Sequence, residues 1–363
     1  MRARSILSEA GRNIATGTSR LALLALVLTA TVGTVVVADA RAVVDVLADA
    51  AAYRAAGAAV HIVEANGDVH GGSCEALASH PGVTASGAVR LAAPIRAQNY
   101  PASDLQTWEA TPGMTTLLAP QSGARSTAQA GAVHEPGLWL SADLASTLGA
   151  TRAGTLTTTA GAATVAGAYP WPSDGRDRAL AYSVLSPVPA QGMFDQCWAE
   201  VWPADEEVAS LMFTTLSPGT SSKARLTQLN SSLGTDFDAP QLLQARVTRH
   251  APLITAVVGL LLGWAAVRTR RLEIASALHA RTPASALALQ HLLEALAWVV
   301  TASALIAGAA AWAATEGSPE PALTTWLTAM RGTGVAALTA LLGTLLGVAA
   351  TREKHLFRYF KNR

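Results

Sequence analysis

Residue arrangements that could perform nucleotide or hydrolytic chemistry do not occur in this chain. A phosphate-binding loop of the type G-x-x-x-x-G-K-[ST] needs a lysine directly after a glycine, because that lysine reaches the phosphates held by the loop backbone. The chain has only Lys223, Lys354 and Lys361, and none of them follows a glycine. The G-x-S-x-G and H-E-x-x-H patterns of hydrolases are also missing. We therefore expect no catalysis by this chain and no cofactor or metal bound to it.

Three histidines, His61, His70 and His80, are close in sequence and are the remaining candidates for a metal site. Their spacings match none of the tight ligand patterns of zinc sites. We expect them to be solvated or packed side chains. The acid pair Glu206-Glu207 likewise indicates the solvated start of a helix.

Four long apolar runs make up much of the rest of the chain. Half of the 363 residues are hydrophobic, and they concentrate in these runs, as expected when lipid covers the side chains. Each run is close to the ~20 helical residues that cross about 30 Å of hydrocarbon. The formal net charge of +1 argues against a nucleic-acid partner. The predicted spans cover residues 21–38, 251–268, 291–314 and 332–351.

Basic residues lie on one side of all four predicted spans. They precede the first span, occur in the loop at 269–290 and follow the last span, whereas the short loop at 315–331 has two acids and one arginine. Because cytoplasmic segments carry the excess of Lys and Arg, we expect a multi-pass protein of the cell membrane with both termini in the cytoplasm. The other predicted segments are a cytoplasmic amphipathic lead-in helix at 1–20, an extracytoplasmic domain at 39–250 and a basic cytoplasmic tail at 352–363.

The first apolar run has an alternative interpretation as a cleaved signal peptide, because Ala38-Asp39-Ala40 resembles an A-x-A cleavage site. However, the run is longer than a usual signal core, and the segment before it is longer than a short basic stub. We therefore expect a retained transmembrane helix.

The segment at 39–250 is too long for a loop and predicts a folded α+β domain inserted between the first and second spans. The predicted fold class is thus a membrane protein with one span, an extracytoplasmic domain and three further spans. Helix-forming residues at 41–53 and 240–250 would extend the first two spans outward as stalks.

Local signals predict several elements inside this domain. A strand at 59–64 is expected to end at the turn signal Asn66-Gly67, and Ser141 is a candidate N-cap for a helix that ends at Gly149. The remaining predictions are a short helix at 73–80, a strand at 83–91, a hairpin from 155–159 and 162–168, and a mobile loop at 122–131.

The two cysteines, Cys74 and Cys197, both fall in the predicted outer domain, where oxidation is permitted. A disulfide between them would close a loop of roughly 120 residues and contribute ~4 to 5 kcal/mol in the chain-entropy model. The alternative is two independent buried thiols. We favour the disulfide, because free thiols outside the cytoplasm are a liability.

Glu294 is a carboxylate at the entry of the third span, near Gln290 and His291. A carboxylate at the bilayer centre costs roughly 2.5 to 3.5 kcal/mol on insertion scales, so we expect it at the membrane interface or facing other helices.

G-x-x-x-G spacings occur in two of the predicted spans and allow another helix backbone to approach closely. The pattern leaves open whether the partner helix belongs to the same chain or to a second copy. The glycines are Gly259 and Gly263 in the second span, and Gly343 and Gly347 in the fourth.

The order of one span, a large domain and three spans resembles that of the FtsX/MacB-like permeases of ABC transporters. Residues 9–14 (EAGRNI) resemble the family's EAxRN lead-in helix, and residues 270–278 (RRLEIASAL) resemble its RRREIAxLRALGAS cytoplasmic segment. Residues 293–296 (LEAL) resemble the opening of its third span, and residues 137–154 resemble its vSxxlAxxLGxxxG stretch. The match departs at Arg281-Thr282-Pro283, where the family has Leu-Gly-Ala.

This resemblance implies a permease that pairs with a second copy or a paralogue and binds two ATPase subunits on its cytoplasmic side. ATP and Mg would be bound by those subunits, and the first two spans would carry the motion outward to export a peptide, drug or lipid-type substrate. The residues implied in ATPase coupling are Arg270, Arg271, Glu273, Ile274, Leu278 and Glu294.

Two other functions fit the same sequence. The chain could relay ATP hydrolysis to an extracellular enzyme without transport, as the cell-division members of the family do. It could also be a membrane-anchored surface or sensor protein that needs no ATPase.

Overall fold

The structure, a computed structural model, describes residues 3–118, 137–159, 161–219, 223–319 and 321–353. The chain divides into two compact units. Met1–Ala48 and Pro240–Arg363 form the first, which we call the helical unit, and Asp49–Ala239 forms the second, the sheet unit.

The secondary structure elements are numbered along the chain. The helices are α1 (Ala3–Ala15), α2 (Leu21–Ala55), α3 (Gly71–Ala76), α4 (Pro112–Leu118), α5 (Ala142–Leu148), α6 (Glu206–Leu211), α7 (Ala239–Ala245), α8 (Ala251–Arg268), α9 (Arg271–His279), α10 (Ala284–Thr315) and α11 (Ala322–Ala350). The strands are β1 (Val60–His70), β2 (Val83–Ile95), β3 (Leu105–Ala110), β4 (Leu138–Ser141), β5 (Thr155–Thr158), β6 (Gly161–Tyr169), β7 (Val184–Pro187), β8 (Met193–Val201) and β9 (Arg225–Gln228).

Within the described residues, four helices are long and apolar enough to cross a membrane, as the apolar runs predict. They are α2, α8 with the preceding 3-10 turn Val247–His250, α10 and α11. Three of them are longer than the predicted spans: α2 continues to Ala55, α10 begins at Ala284 and α11 begins at Ala322. A helix continues beyond its apolar run because its backbone hydrogen bonds do not depend on side-chain polarity. The loop predicted at 315–331 is correspondingly shorter.

The helical unit has an apolar core built from α2, α10 and α11. Leu28, Val32 and Val36 recur every four residues on α2 and are fully buried. They belong to the same packed cluster as Trp298 and Ile306 of α10.

The prediction of one helix from 240–250 running straight into the second span is wrong. The helix α7 ends at Ala245, and Arg246 has an extended backbone with φ −54° and ψ 135° before the 3-10 turn. An uninterrupted helix would need an N–H at Pro252 to bond the carbonyl of Thr248. Since proline has no N–H, it is accommodated in the first turn of α8 instead.

In the described part of the sheet unit, nine strands form one sheet with the order β5-β6-β4-β7-β3-β2-β8-β1-β9. Most neighbouring strands are antiparallel, while β3–β7 and β4–β6 are parallel. A bridge between Ala97 and Thr158 brings the segment after β2 to the outer edge of β5. Together with α3 to α6, these strands form the α+β unit that the local signals predict.

Several local predictions for the sheet unit are confirmed. The Ser141 hydroxyl accepts a hydrogen bond from the Leu144 N–H at the start of α5, and Gly149 ends the helix in the left-handed conformation. The hairpin β5–β6 and the short helix α3 are also present. The loop predicted at 122–131 lies outside the described residues.

The strand β1 differs from its prediction because it does not end at Asn66-Gly67. It continues to His70, and its pairing with β8 shifts register between Glu64 and Val69. Gly67 has φ +75°, and its N–H donates to the Asp195 carboxylate at 2.9 Å. The turn signal thus produces an irregularity within the strand.

Cys74 of α3 and Cys197 of β8 form a disulfide with a Cα–Cα distance of 5.7 Å. Both residues are fully buried in the same apolar cluster as Val63, Phe194 and Met212. The disulfide therefore ties α3 to the centre of the sheet.

Candidate functional site

The helix α9 contains four of the six residues that the resemblance implies in ATPase coupling, namely Arg271, Glu273, Ile274 and Leu278. Its inner face is made by Ile274, which is buried, and Leu278, which is half-buried. These two side chains pack in one cluster with Val267, Leu287 and Val348. Ile274 and Leu278 therefore hold α9 against α8, α10 and α11, and a partner protein would not reach Ile274.

The outer face of α9 consists of other residues. Glu273, Ser276 and His279 are exposed, as is the C-cap residue Ala280, and Arg271 is half-buried. The ring of His279 lies 2.8 Å from the carboxylate of Glu353, just after α11. This outer face is the part of α9 that a partner could contact.

Glu294 of α10 is buried, with only 4% of its surface exposed. One carboxylate oxygen accepts a hydrogen bond from Asn13 at 2.7 Å and one from Gln290 at 3.4 Å. The other oxygen pairs with the Arg270 guanidinium and lies 3.6 Å from the His291 ring. Of the two positions that the sequence allows for this carboxylate, the structure shows the one facing other helices.

Arg270 connects this buried carboxylate to the outer face of α9. Its backbone caps the N-terminus of α9, and its side chain is only 13% exposed. One guanidinium nitrogen contacts Glu294, and another donates to Glu273 at 2.8 Å. A single cation therefore links one buried and one exposed carboxylate.

Asn13 brings α1 to the same cluster. Ile6 and Ala10 are buried on α1, and Asn13 follows them on the same helical face. Asn13 was absent from the predicted site, although it lies within the EAGRNI stretch. Its position three residues after Ala10 on an amphipathic helix is the signal that could have identified it.

Three of the four stretches on which the resemblance depends, 9–14, 270–278 and 293–296, thus meet at one point. Asn13, Arg270 and Glu294 are far apart in sequence, yet their side chains form one hydrogen-bonded cluster in the helical unit. We call Asn13, Arg270, Gln290, His291 and Glu294 the polar cluster.

A second set of ionic contacts lies near the far end of α10. Arg41 of α2 pairs with Glu316 and lies over the Trp312 ring at 4.8 Å. Asp39 of α2 lies 3.3 Å from Arg246 in the segment before α8. These contacts attach α2 to the helices that follow the sheet unit in sequence.

The G-x-x-x-G glycines bring α8 and α11 into close contact. A Cβ atom on Gly259 or Gly263 would overlap the carbonyls of Ala336 and Ala340. A Cβ atom on Gly343 would overlap the carbonyl of Leu260, and one on Gly347 would approach the Val267 side chain. Both motifs are therefore occupied by packing within the chain.

The three histidines do not form a metal site. His61 lies within β1, His70 ends that strand, and His80 follows the short turn after α3. No group of three or more His, Cys, Asp or Glu side chains that could hold a metal ion occurs among the described residues. The Glu206-Glu207 pair begins α6, where Asp205 is the N-cap.

Compared with known proteins, the chain matches no protein-family model and no curated protein. The similarity to the FtsX/MacB-like permeases therefore depends on the short stretches and the order of elements described above.

Proposed function

We propose that this chain is the membrane-spanning permease subunit of an ABC transporter-like machine whose ATPase is a separate polypeptide. In this proposal α2, α8, α10 and α11 cross the cell membrane, α9 lies on the cytoplasmic side, and the sheet unit lies outside. A second permease copy or a paralogue completes the assembly, which exports a peptide, drug or lipid-type substrate.

The observation that carries the proposal is the polar cluster. The lead-in, cytoplasmic-loop and third-span stretches each resemble the permease family on a few residues only. In the structure, one residue from each stretch contributes to the same buried contact. Asn13 is 281 residues from Glu294 in sequence, so folding and not chain proximity brings the lead-in stretch to this contact.

The cytoplasmic position of α9 is supported by charge. Arg268, Arg270, Arg271 and Arg281 surround this helix, and such an excess of arginine marks a cytoplasmic loop. The Cys74–Cys197 disulfide supports an oxidising compartment for the sheet unit.

The helix α2 is suited to carry motion outward. It is a single helix of 35 residues, so it is about 52 Å long at 1.5 Å per residue. Its residues up to Ala48 belong to the helical unit and its last turns belong to the sheet unit. There, Tyr53 packs against Trp202 and Phe237, and Arg54 pairs with the buried Glu200 at 2.8 Å.

Affinity purification tests whether the outer face of α9 binds an ATPase. We expect an ATPase with a Walker-type motif to co-purify with the wild-type chain in detergent. Adding two negative charges with Ser276→Glu and Ala280→Glu should abolish co-purification, because Ser276 on α9 and Ala280 at its C-cap are both exposed and lie four residues apart.

A matched control is available on α5. Ala142→Glu and Ser146→Glu add the same charges with the same spacing to an exposed helical face of the sheet unit. This control should retain the ATPase. If the wild type yields no ATPase, the surface or sensor alternative is favoured; if the α9 variant retains it, the docking assignment is wrong.

A further inference from the structure

Arg270, Glu294 and Asn13 connect three helices through one buried carboxylate. Arg270 is the N-cap of α9, Glu294 belongs to α10, and Asn13 belongs to α1. The Glu294 carboxylate uses one oxygen for Asn13 and the other for Arg270. The lead-in helix and the proposed docking helix are therefore held by the two oxygens of one side chain.

We propose that Glu294 is a positioning residue that makes α1 part of the docking element. A partner that displaces α9 also displaces α1, because consecutive side-chain contacts connect the two helices. These contacts run from Glu273 to Arg270, from Arg270 to Glu294 and from Glu294 to Asn13. This inference rests on the proposed function only where it takes α9 as the element that the ATPase contacts.

The polar cluster is better suited to fixing the position of α1 than to adding stability. A buried ion pair is rarely better for stability than apolar side chains of similar volume, but losing one partner leaves the other charge uncompensated. The hydrogen bond from Asn13 to a carboxylate is charge-assisted and therefore strong. The buried carboxylate thus opposes any separation of α1 from α9.

The apolar packing of α1 is limited, so its placement depends more on the hydrogen bond between Asn13 and Glu294. Among the side chains of α1 whose burial the structure describes, Ile6 and Ala10 are the buried apolar ones, whereas Leu7 is 58% exposed. The turn at 16–20 that joins α1 to α2 is short, and it fixes only one end of α1. Asn13 lies near that end and sets how α1 is placed relative to α9.

Spin-label distances in the full-length chain test this coupling directly. Labels on Gly11→Cys and Ser276→Cys would report the separation of α1 and α9, since both sites are exposed and a Cβ on Gly11 meets no atom within 4 Å. The native cysteines form the disulfide and would not be labelled. We expect one narrow distance peak in the wild type.

Three variants distinguish loss of the polar cluster from loss of any carboxylate near α9. Asn13→Ala and Glu294→Gln should each cause loss of the single narrow peak. Glu353→Gln removes an exposed carboxylate that also contacts α9, through His279, and should leave the peak unchanged. Unchanged distances in both Asn13→Ala and Glu294→Gln would overturn the proposal. Asn13→Ala keeps the Arg270–Glu294 pair, so it remains informative if Glu294→Gln fails to fold.

A second measurement uses the complex with the co-purified ATPase. Labels on Gly11→Cys and Gly334→Cys would follow α1 against α11, where a Cβ on Gly334 also meets open space. We expect addition of ATP to change this distance in the wild type, and Asn13→Ala to lose the change while the ATPase still co-purifies. An ATP-dependent change that persists in Asn13→Ala would contradict the coupling. If no ATPase co-purifies, the proposed function fails, whereas the measurement on the isolated chain still decides whether Glu294 couples α1 to α9.

Discussion

Glu294 illustrates how a charged side chain is accommodated on a long apolar helix. Its carboxylate is buried and is stabilised by polar side chains instead of by water. These side chains belong to Asn13, Arg270, Gln290 and His291. Removing one partner from a buried ion pair typically costs about 3 to 5 kcal/mol, whereas an exposed pair contributes about 0 to 1 kcal/mol. The sequence identifies the charge in its unusual place, and only the packed helices supply its partners.

At the same scale, His61 should make the stability of the protein depend on pH. Burial in β1 lowers the pKa of His61 below its ordinary value of 6.5, although Asp236 acts in the opposite direction. The unfolded chain therefore binds a proton at a higher pH than the folded chain. Stability is fully present above pH 6.5 and is lost as the pH falls from that value through the lower pKa of the folded state.

We expect His61→Gln to reduce this acid-induced loss, because it removes the group that must be protonated on unfolding. Thermal unfolding of the full-length chain in detergent, followed at neutral pH and at about pH 5, would measure the effect. The control is His80→Gln, which replaces an exposed histidine of the same unit. This variant should lose as much stability at acid pH as the wild type does. Equal acid sensitivity of His61→Gln and the wild type would show that His61 is not responsible.

At the scale of elements, α8 and α11 form the pair whose packing depends most clearly on glycine. Gly343 faces the carbonyl of Leu260, while Gly334, on the same helix, has open space where a Cβ would be. The G-x-x-x-G spacing predicts a close helix contact but does not identify the partner helix. The structure shows that each motif packs against the other.

We expect Gly343→Ala to destabilise the protein by roughly 1 to 3 kcal/mol, because the added methyl group would force the two helix backbones apart. Gly334→Ala is the matched control on α11 and should be neutral or stabilising by up to about 1 kcal/mol, since alanine favours a helix more than glycine does. Thermal unfolding in detergent would compare the two variants. Equal stability of both would contradict the close packing of α8 on α11.

At the scale of the whole molecule, the proposed topology requires α9 and the sheet unit to lie on opposite sides of the membrane. Single cysteines can test this requirement, because Cys74 and Cys197 are bonded and buried. Ser146 on α5 and Ser276 on α9 are both exposed, and each hydroxyl donates to the carbonyl three residues before it. They are therefore closely matched labelling sites.

We expect a membrane-impermeant thiol reagent to label Ser146→Cys in intact cells, and to label Ser276→Cys only after the membrane is permeabilised. The physical reason is that arginine-rich loops remain in the cytoplasm, whereas the proposed topology places the sheet unit outside. The unmodified chain serves as the control and should not react. Labelling of both sites in intact cells would place them on the same side and would exclude the proposed transmission of motion.

The sequence by itself determined the elements whose signals are local. Four long apolar runs predict helices, because each is longer than an ordinary strand and close to the ~20 helical residues that cross a bilayer, and four such helices occur in the described part of the chain. Ser141 and Gly149 specify the ends of α5 through backbone hydrogen bonds and a left-handed residue, which are contacts within a few residues. The absence of a phosphate-binding lysine is also readable without a structure.

Only the tertiary structure decided which distant residues meet and which faces remain exposed. Ile274 and Leu278 match the docking stretch in sequence, but they pack inward, and Asn13 joins Glu294 across most of the chain. The same holds for the choice between packing within the chain and pairing between copies at Gly263 and Gly343. The physical reason is that periodicity identifies a buried face, whereas the element that buries it is selected by packing over long distances in sequence.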